Sequence, residues 1–439
     1  MAPDNAETPS TFTPISYWTL LHRNRPYRRL WFGQVVSLLG DWFRLIALYH
    51  LVLQLTDASG LALGGVIIAQ TLSLFVLSPV AGVVADRLSR KTIMIAADIV
   101  RAVLTLGFLF LTSPDRLWIA YGLTAVVMAV SSFFHPAFVA TIPNLVKREE
   151  LVTANALSSA TWAAMLAIGS ALGGLATSWL GVQAAFVIDA FSYLISAAFI
   201  ATVTVPMRSQ AGATVDPSAG QSAWRNFKQG VRYMCARSHV LRLLSVKVWS
   251  TGIGGSMMLL YTIFAEQVFF AGAVGMGVLY MARGVGATIG PLLARRIVGE
   301  SPPAMFRMIG YAFLIMAGLY VVFATMPTLW LAAAALCLGT MASNVLWVFS
   351  STLLQLSVPD TYRGRVFSTD FALFTILMSV STFCVGWALD YLEISVRVLT
   401  AIIGGILFLP GIWWLLPATR GVLPAELSLD GSAGGGEVS

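Results

Sequence analysis

Charge is what this chain has least of. Asp, Glu, Lys and Arg together make up 11% of its 439 residues, against about 25% in an ordinary soluble domain. So few charged side chains cannot cover the surface of a water-soluble globule, and that class is excluded. Cysteine is scarce as well: Cys235, Cys337 and Cys384 are scattered and odd in number, which rules out a disulfide framework and metal-type spacing. The four histidines do not cluster. No G-x-x-x-x-G-K-[ST] loop and no H-E-x-x-H occurs, so the chain carries no ATPase of its own and no zinc-hydrolase motif. No polar segment is long enough to house a catalytic domain. These absences predict a protein that is not an enzyme and uses no cofactor and no metal. Its work would be driven by an ion gradient or by the gradient of its own substrate.

What is present is apolar. The chain is 57% hydrophobic, with a mean hydropathy of +0.80. Apolar runs of about 20 residues, enough to cross roughly 30 Å of hydrocarbon, recur from end to end. A membrane β-barrel would show short alternating segments instead. Twelve spans are predicted: 29–54, 62–86, 91–112, 116–138, 151–178 and 183–205, then 240–266, 273–294, 305–325, 328–351, 366–390 and 395–416. The expected fold is an all-α membrane protein with twelve transmembrane helices in two six-helix pseudo-repeat bundles. Residues 29–206 and 240–417 would form the bundles, and 207–239 a polar, basic linker. Residues 1–28 would precede them as a cytoplasmic segment too polar for a cleavable signal peptide. The Gly- and Ser-rich stretch 418–439 is expected to be disordered.

The net charge of +7 is a topology signal and not a nucleic-acid footprint, because the basic residues sit in short loops between spans. Arg87, Arg90 and Lys91, Lys147 and Arg148, Arg295 and Arg296, and Arg363 and Arg365 all fall on one side. The other side holds Arg116 and Arg397. The bias alternates loop by loop, which places both termini in the cytoplasm. The halves also resemble each other. Gly82-x-x-x-Asp86-Arg87 after span two answers to Gly290-x-x-x-Ala294-Arg295 after span eight, and Pro143 to Arg148 answers to Pro359 to Arg365. Paired bundles of this kind are the plan of secondary transporters with parallel halves.

The stretch Gly82-Val-Val-Ala-Asp86-Arg87-Leu-Ser-Arg90-Lys91 resembles the loop 2–3 signature of the major facilitator superfamily, departing from it at Ser89. Gly40-Asp41, Asp98-x-x-Arg101, Ala154-Asn155-Ala156-Leu157 and Val358-Pro359-Asp360-x-x-Arg363-Gly364-Arg365-Val366 narrow the resemblance. The set is similar to the branch containing the enterobactin exporter and the macrolide efflux proteins. The resemblance implies a bacterial inner-membrane transporter, monomeric, working by alternating access on a small molecule and exchanging it for protons across the lipid bilayer. It also places the start of span eleven beside Asp86. Gly82, Asp86, Arg87, Arg90, Lys91, Asp360, Arg363, Gly364 and Arg365 would then form a gating motif, with the carboxylate facing a helix N-terminus. The alternative is that the basic loops only hold orientation. Gly169-Ser170-Ala171-Leu172-Gly173-Gly174 is similar to the antiporter motif of drug exporters, with Ser170 in place of its proline; the reading as a close helix contact is favoured over antiport.

Charges inside spans are costly, so they face a bundle interior or a water-filled cavity. Asp41 and Arg44, three residues apart, share a face of span one and read either as a proton site or as a neutralised brace. Asp98 and Arg101 repeat the spacing in span three, where a bracing role is favoured, and Asp189 in span six is a weaker candidate. Lys247 and Arg283 put positive charge into the second half, where Asp370 is the obvious acid. Either Asp370 neutralises one of them, or one faces the cavity and attracts an anionic substrate. The family cavity draws on spans one, four, seven and ten, which nominates Gln34, Asp41, Met128, Ser131, Tyr261, Asn344 and Trp347, with Arg283 beside them. Aromatic and methionine side chains suit a large amphipathic molecule. The first reading is a proton-driven exporter of a siderophore or drug-like amphiphile. A lysophospholipid transporter of the same fold is the second, and a non-transporting sensor or assembly partner the third.

Overall fold

A computed structural model of the chain describes residues 15–204, 232, 234, 236–299 and 301–416. Within its helices, the side chains at 78, 79, 82, 83, 85–87, 360 and 361 lie outside that description. Among the described residues there is no strand, and 12 helices are long and apolar enough to cross a membrane. The first bundle holds α1 (Arg25–Leu55), α2 (Gly60–Arg87), α3 (Arg90–Phe110), α4 (Pro114–Leu145), α5 (Arg148–Leu180) and α6 (Val182–Ala201). The second holds α7 (Ser238–Val268), α8 (Gly272–Val298), α9 (Pro302–Thr325), α10 (Leu329–Ser357), α11 (Asp360–Tyr391) and α12 (Val396–Leu415). The chain is therefore a multi-pass membrane protein.

Helices satisfy their own backbone polar groups, which is why hydrocarbon admits them. Their ends need other partners. Ser59, Ser89, Thr328 and Ser395 each accept a backbone N–H at the start of α2, α3, α10 and α12. Gly181, at φ 89°, supplies the left-handed turn between α5 and α6. Several helices outrun the expected spans, the tenth among them, which runs to Ser357. The fourth continues past 138 to Leu145, across Pro136 and Pro143, and the eleventh starts at Asp360 rather than 366. An apolar run marks where hydrocarbon ends, while a helix can continue into the polar layer beyond it.

α1 packs on α5 and α6, and α3 on α4 and α6; in the second bundle α9 packs on α10 and α12, and α8 on α10. The bundles meet where α2 faces α11 and where α5 faces α8. The α5–α8 seam is built backbone against backbone. A Cβ on Gly277 would stand 2.8 Å from the Ser170 carbonyl oxygen, and one on Gly174 would stand 2.5 Å from that of Ala273. The glycine run of α5 thus allows close approach of two helices, beside a π-helical turn at Met165–Gly169.

The seam is one-sided. A single hydrophobic core joins Ile46, Leu48, Val52, Leu63 and Ile67 of the first bundle to Leu260, Ile263, Met276 and Leu279 of the second. These residues lie towards the end away from the basic loops. At the basic end, Tyr27, Leu30, Met94, Phe138, Ile142, Leu157 and Ile200 form a separate core inside the first bundle. Among the described residues, the apolar core shared by the two bundles thus sits at one end, the sealed end. Substituting Gly277→Val should cost about 1–3 kcal/mol through overpacking, read as a lower unfolding midpoint in detergent. Gly122→Ala, where an added Cβ meets nothing within 4 Å, should leave that midpoint unchanged.

Candidate functional site

A cavity of about 860 Å³ is lined by helices of the first bundle. Gln34, Asp41 and Trp42 of α1, Gln70 and Thr71 of α2, Met128, Ser131 and Phe134 of α4, and Asn155 and Trp162 of α5 line it. Arg44 and Arg101 reach its wall. Four residues nominated from the sequence, Gln34, Asp41, Met128 and Ser131, therefore share one wall. Tyr261, Arg283, Asn344 and Trp347 lie in the second bundle and do not line this cavity. Asn344 spends its amide N–H on the Thr340 carbonyl, and Trp347 packs edge-on against Phe374 at 5.0 Å.

Behind Asp41 is a network of charge joining three helices. Arg44 Nη2 contacts Asp41 Oδ1 at 3.1 Å, and its Nε donates to Asp189 Oδ2 of α6 at 3.0 Å. The Tyr193 hydroxyl, one turn along α6, donates to Asp41 Oδ1 at 2.5 Å. Arg101 of α3 pairs with Asp98, and its guanidinium lies 4.3 Å from the Tyr193 ring and 4.5 Å from that of Phe134. Such cation–π contacts gain strength when desolvated. Asp98, Arg101, Asp189 and Arg44 are buried, whereas the Asp41 side chain keeps 28% of its surface. The α1 and α3 pairs thus belong to one assembly, and Asp189 is the deep partner of Arg44. Gly40 makes this possible: a Cβ there would press within 2.5 Å of Asp189 Oδ1, so only glycine lets α1 close on α6.

Sequence reasoning missed Tyr193 and underrated Asp189. The signal was a four-residue spacing of two polar groups in an otherwise apolar helix, which puts both on one face. In the second bundle the choice left open for Asp370 resolves: it pairs with Lys247 of α7.

The sealed end carries contacts that the sequence did not suggest. Asp390, near the end of α11, accepts from Gly60 N at 2.7 Å, Leu61 N at 2.9 Å and Ser59 Oγ at 2.6 Å. A carboxylate of one bundle thus caps a helix of the other, at the end where a negative charge is favoured. Beside it, His50 Nδ1 lies 3.0 Å from Glu266 Oε2 of α7. At the basic end, Gly82, Asp86, Arg87 and Asp360 of the gating motif lie outside the residues whose side chains are described. Arg90 donates to the Ala140 carbonyl of α4 at 2.6 Å, and Lys91 to the Ala201 and Val203 carbonyls at the end of α6. Arg363 reaches the Gln355 carbonyl at the end of α10 at 3.3 Å, Arg365 lies over the Tyr362 ring, and an added Cβ on Gly364 would meet nothing.

Residues 15–417 match a family described as transmembrane secretion effector. The putative bacilysin exporter BacE of Bacillus subtilis is 25% identical over 356 residues, 80% of this chain and 86% of its own. Macrolide efflux protein A of Streptococcus pyogenes is 23% identical over 358 residues, with the same two shares. The crystal structure of the nucleoside transporter NupG shares the fold, with a TM-score of 0.68 at 12% identity over 89% of this chain and 98% of that one.

Two outcomes follow from the geometry. Asp189→Asn strips a buried guanidinium of its deepest partner and should cost about 3–5 kcal/mol. Asp41→Asn should cost less than about 1 kcal/mol, because Arg44 keeps Asp189; thermal unfolding in detergent compares the two. Asp390→Ala removes an inter-bundle cap worth about 1 kcal/mol. A cysteine placed at Gln267, in the cleft of about 420 Å³ beside that cap, should then react several-fold faster with a membrane-impermeant maleimide in a cysteine-free background.

Proposed function

The chain belongs to the transmembrane secretion effector family of major facilitator transporters, and from that premise we propose that it exports a small amphiphile in exchange for protons. The observation that carries this reading is the balance of charge behind the cavity. Three carboxylates, Asp41, Asp98 and Asp189, face two guanidiniums, Arg44 and Arg101. One proton makes the set neutral, and its loss leaves a net negative charge in a water-poor interior. Asp41 is the member that the cavity reaches, so it is the group that takes up and releases that proton.

The positively charged loops face the cytoplasm, and with them both termini. In the state described, the cavity then opens to the cytoplasm while Asp390 and the α5–α8 seam hold the outer end shut. Substrate enters from the cytoplasm as Asp41 gives up its proton. In the opposite state a proton from outside displaces the substrate. Asp86 and its basic neighbours, with the start of α11, are the latch for that second state. Relatives named for bacilysin export and macrolide efflux support the outward direction. Trp42, Met128, Phe134 and Trp162 offer apolar and aromatic surface, with Gln34, Ser131 and Asn155 as polar groups. A space of this volume holds one medium-sized organic molecule, so a siderophore or a drug-like amphiphile is the substrate class. The site is the inner membrane of a bacterium, and one chain suffices to build it.

Everted membrane vesicles bearing the full chain test the reading, with a macrolide and a catecholate siderophore as probes. Adding a transported probe to energised vesicles should collapse part of the pH gradient. Asp41→Asn should abolish that proton movement and uphill transport while still permitting downhill exchange of the probe. Full gradient-driven transport by Asp41→Asn, or no proton movement with either probe together with unchanged drug susceptibility and siderophore secretion on deletion, overturns it.

A further inference from the structure

The second bundle contains a cation that its own acid does not serve. Lys247 and Asp370 are both buried and occupy one another, and the Lys247 ammonium also sits 4.3 Å from the Trp347 ring. Arg283 of α8 makes no ion pair among the described residues, and the side chain it hydrogen-bonds is the neutral Tyr261. It stands roughly 17 Å along α8 from Gly272, at a rise of about 1.5 Å per residue, which is the middle of the membrane. A charge at that depth is expected to face a partner or water, and Arg283 is only partly buried. Its ionisable neighbours include Tyr261, Tyr280, Tyr320 and Tyr49, the last from the other bundle.

The hydrogen bonding of this cage is unbalanced. Tyr49 donates to Gln70 at 2.6 Å, and the Tyr280 hydroxyl meets Thr262 at 3.2 Å. Tyr261, with 2% of its surface exposed, has a hydroxyl whose neighbours are the Tyr280 hydroxyl and the Arg283 guanidinium, and no well-aligned acceptor receives its proton. The guanidinium thus rests against neutral hydroxyls, with no carboxylate paired to it among the described residues. Burying such donors unmatched is costly. The missing group is an acceptor carrying negative charge, since a planar guanidinium binds an oxyanion through two parallel hydrogen bonds. The cage also borders the cavity floor: Gln70 and Trp42 line the cavity, and Trp42 packs edge-on against Tyr280 at 5.8 Å.

We propose that Arg283 and Tyr261 form an oxyanion subsite at the floor of the transport path, and that the exported amphiphile carries a carboxylate or a comparable oxyanion. The anion docks on the second bundle, while the apolar body rests against Trp42 in the first. One molecule then bridges both halves, and its charge stays apart from Asp41. This assignment rests on the export reading above and adds the sign of the substrate's charge to it.

Fluorescein and rhodamine 123 share a xanthene scaffold and carry opposite charge, so together they isolate that sign. Proteoliposomes holding the full chain are given a pH gradient, and accumulation of each dye is measured after filtration. The wild type should favour fluorescein. Arg283→Gln should lower the fluorescein-to-rhodamine ratio by about tenfold or more, chiefly through KM, as loss of a charge-assisted contact predicts. Arg283→Lys should keep part of the preference. A wild type that moves both dyes equally or prefers rhodamine, or a preference that survives Arg283→Gln, overturns the subsite and leaves export standing. Equal loss of both dyes in the Gln and Lys variants also overturns it, by assigning Arg283 a structural role. A wild type that moves neither dye removes the export reading and the subsite with it.

Discussion

The structure depends on one constraint: a charge inside the membrane must have its counter-charge within reach. Arg44 shows how this is met. Its guanidinium is divided between Asp41 of the same helix and Asp189 of α6, so one cation ties α1 to α6 at the centre of the first bundle. The planar fork of arginine suits two carboxylates at once. α3 is added through Arg101, which shares the Tyr193 ring with that centre. The bundle is thus held by polar contacts in a solvent where apolar association between helices has no drive of its own, because lipid tails are as apolar as leucine.

The two bundles meet this constraint in different ways. The first carries more acid than base and leaves one carboxylate at the cavity wall. The second satisfies Lys247 with Asp370 and leaves Arg283 beside tyrosines. The pseudo-repeat is therefore one of backbone plan and not of chemistry. Under the proposed exchange, an acid at the cavity wall and a cation beyond its floor keep the proton and the anion on separate sites. Their coupling then goes through movement of the halves and needs no direct contact between them.

Span count, fold class and the pairing of Asp41 with Arg44 were legible in the sequence because each is local: a run of about 20 apolar residues, or two charges three apart on a helix. The place of α3 was legible too, in a pattern that was passed over. Ile93, Met94, Ala97, Asp98, Arg101, Ala102 and Thr105 form its buried face, while Ile99, Val100, Val103 and Leu106 look outward. In a membrane the polar side of such a helix points inward, which sets Asp98 and Arg101 against α4 and α6. What no local pattern held was the sealed end. Ser59 and Asp390 are 331 residues apart, and a serine that caps its own helix gives no sign that a carboxylate of the other bundle caps it as well. Arg283 was visible as an isolated charge, but that Asp370 belongs to Lys247 is a matter of packing.

α1 explains how the charged centre and the seal can belong to one device. Asp41 and Arg44 lie in its middle, and Tyr49 and His50 lie one to two turns further along. Tyr49 bonds to Gln70 of α2, the helix that Asp390 caps, and His50 meets Glu266 of α7. A straight helix moves as a unit, so a tilt that eases the strain of an uncompensated carboxylate at Asp41 also shifts His50 against α7. The opposing bundle gives that motion something to push on, since Trp42 touches both Tyr280 and the close-packed backbone at Gly173. Close-packed seams do not stretch; they hold or part. Under the proposed exchange, a single helix carrying charge at its centre and the His50–Glu266 contact at its outer end links one proton to the choice between a sealed and a parted outer end.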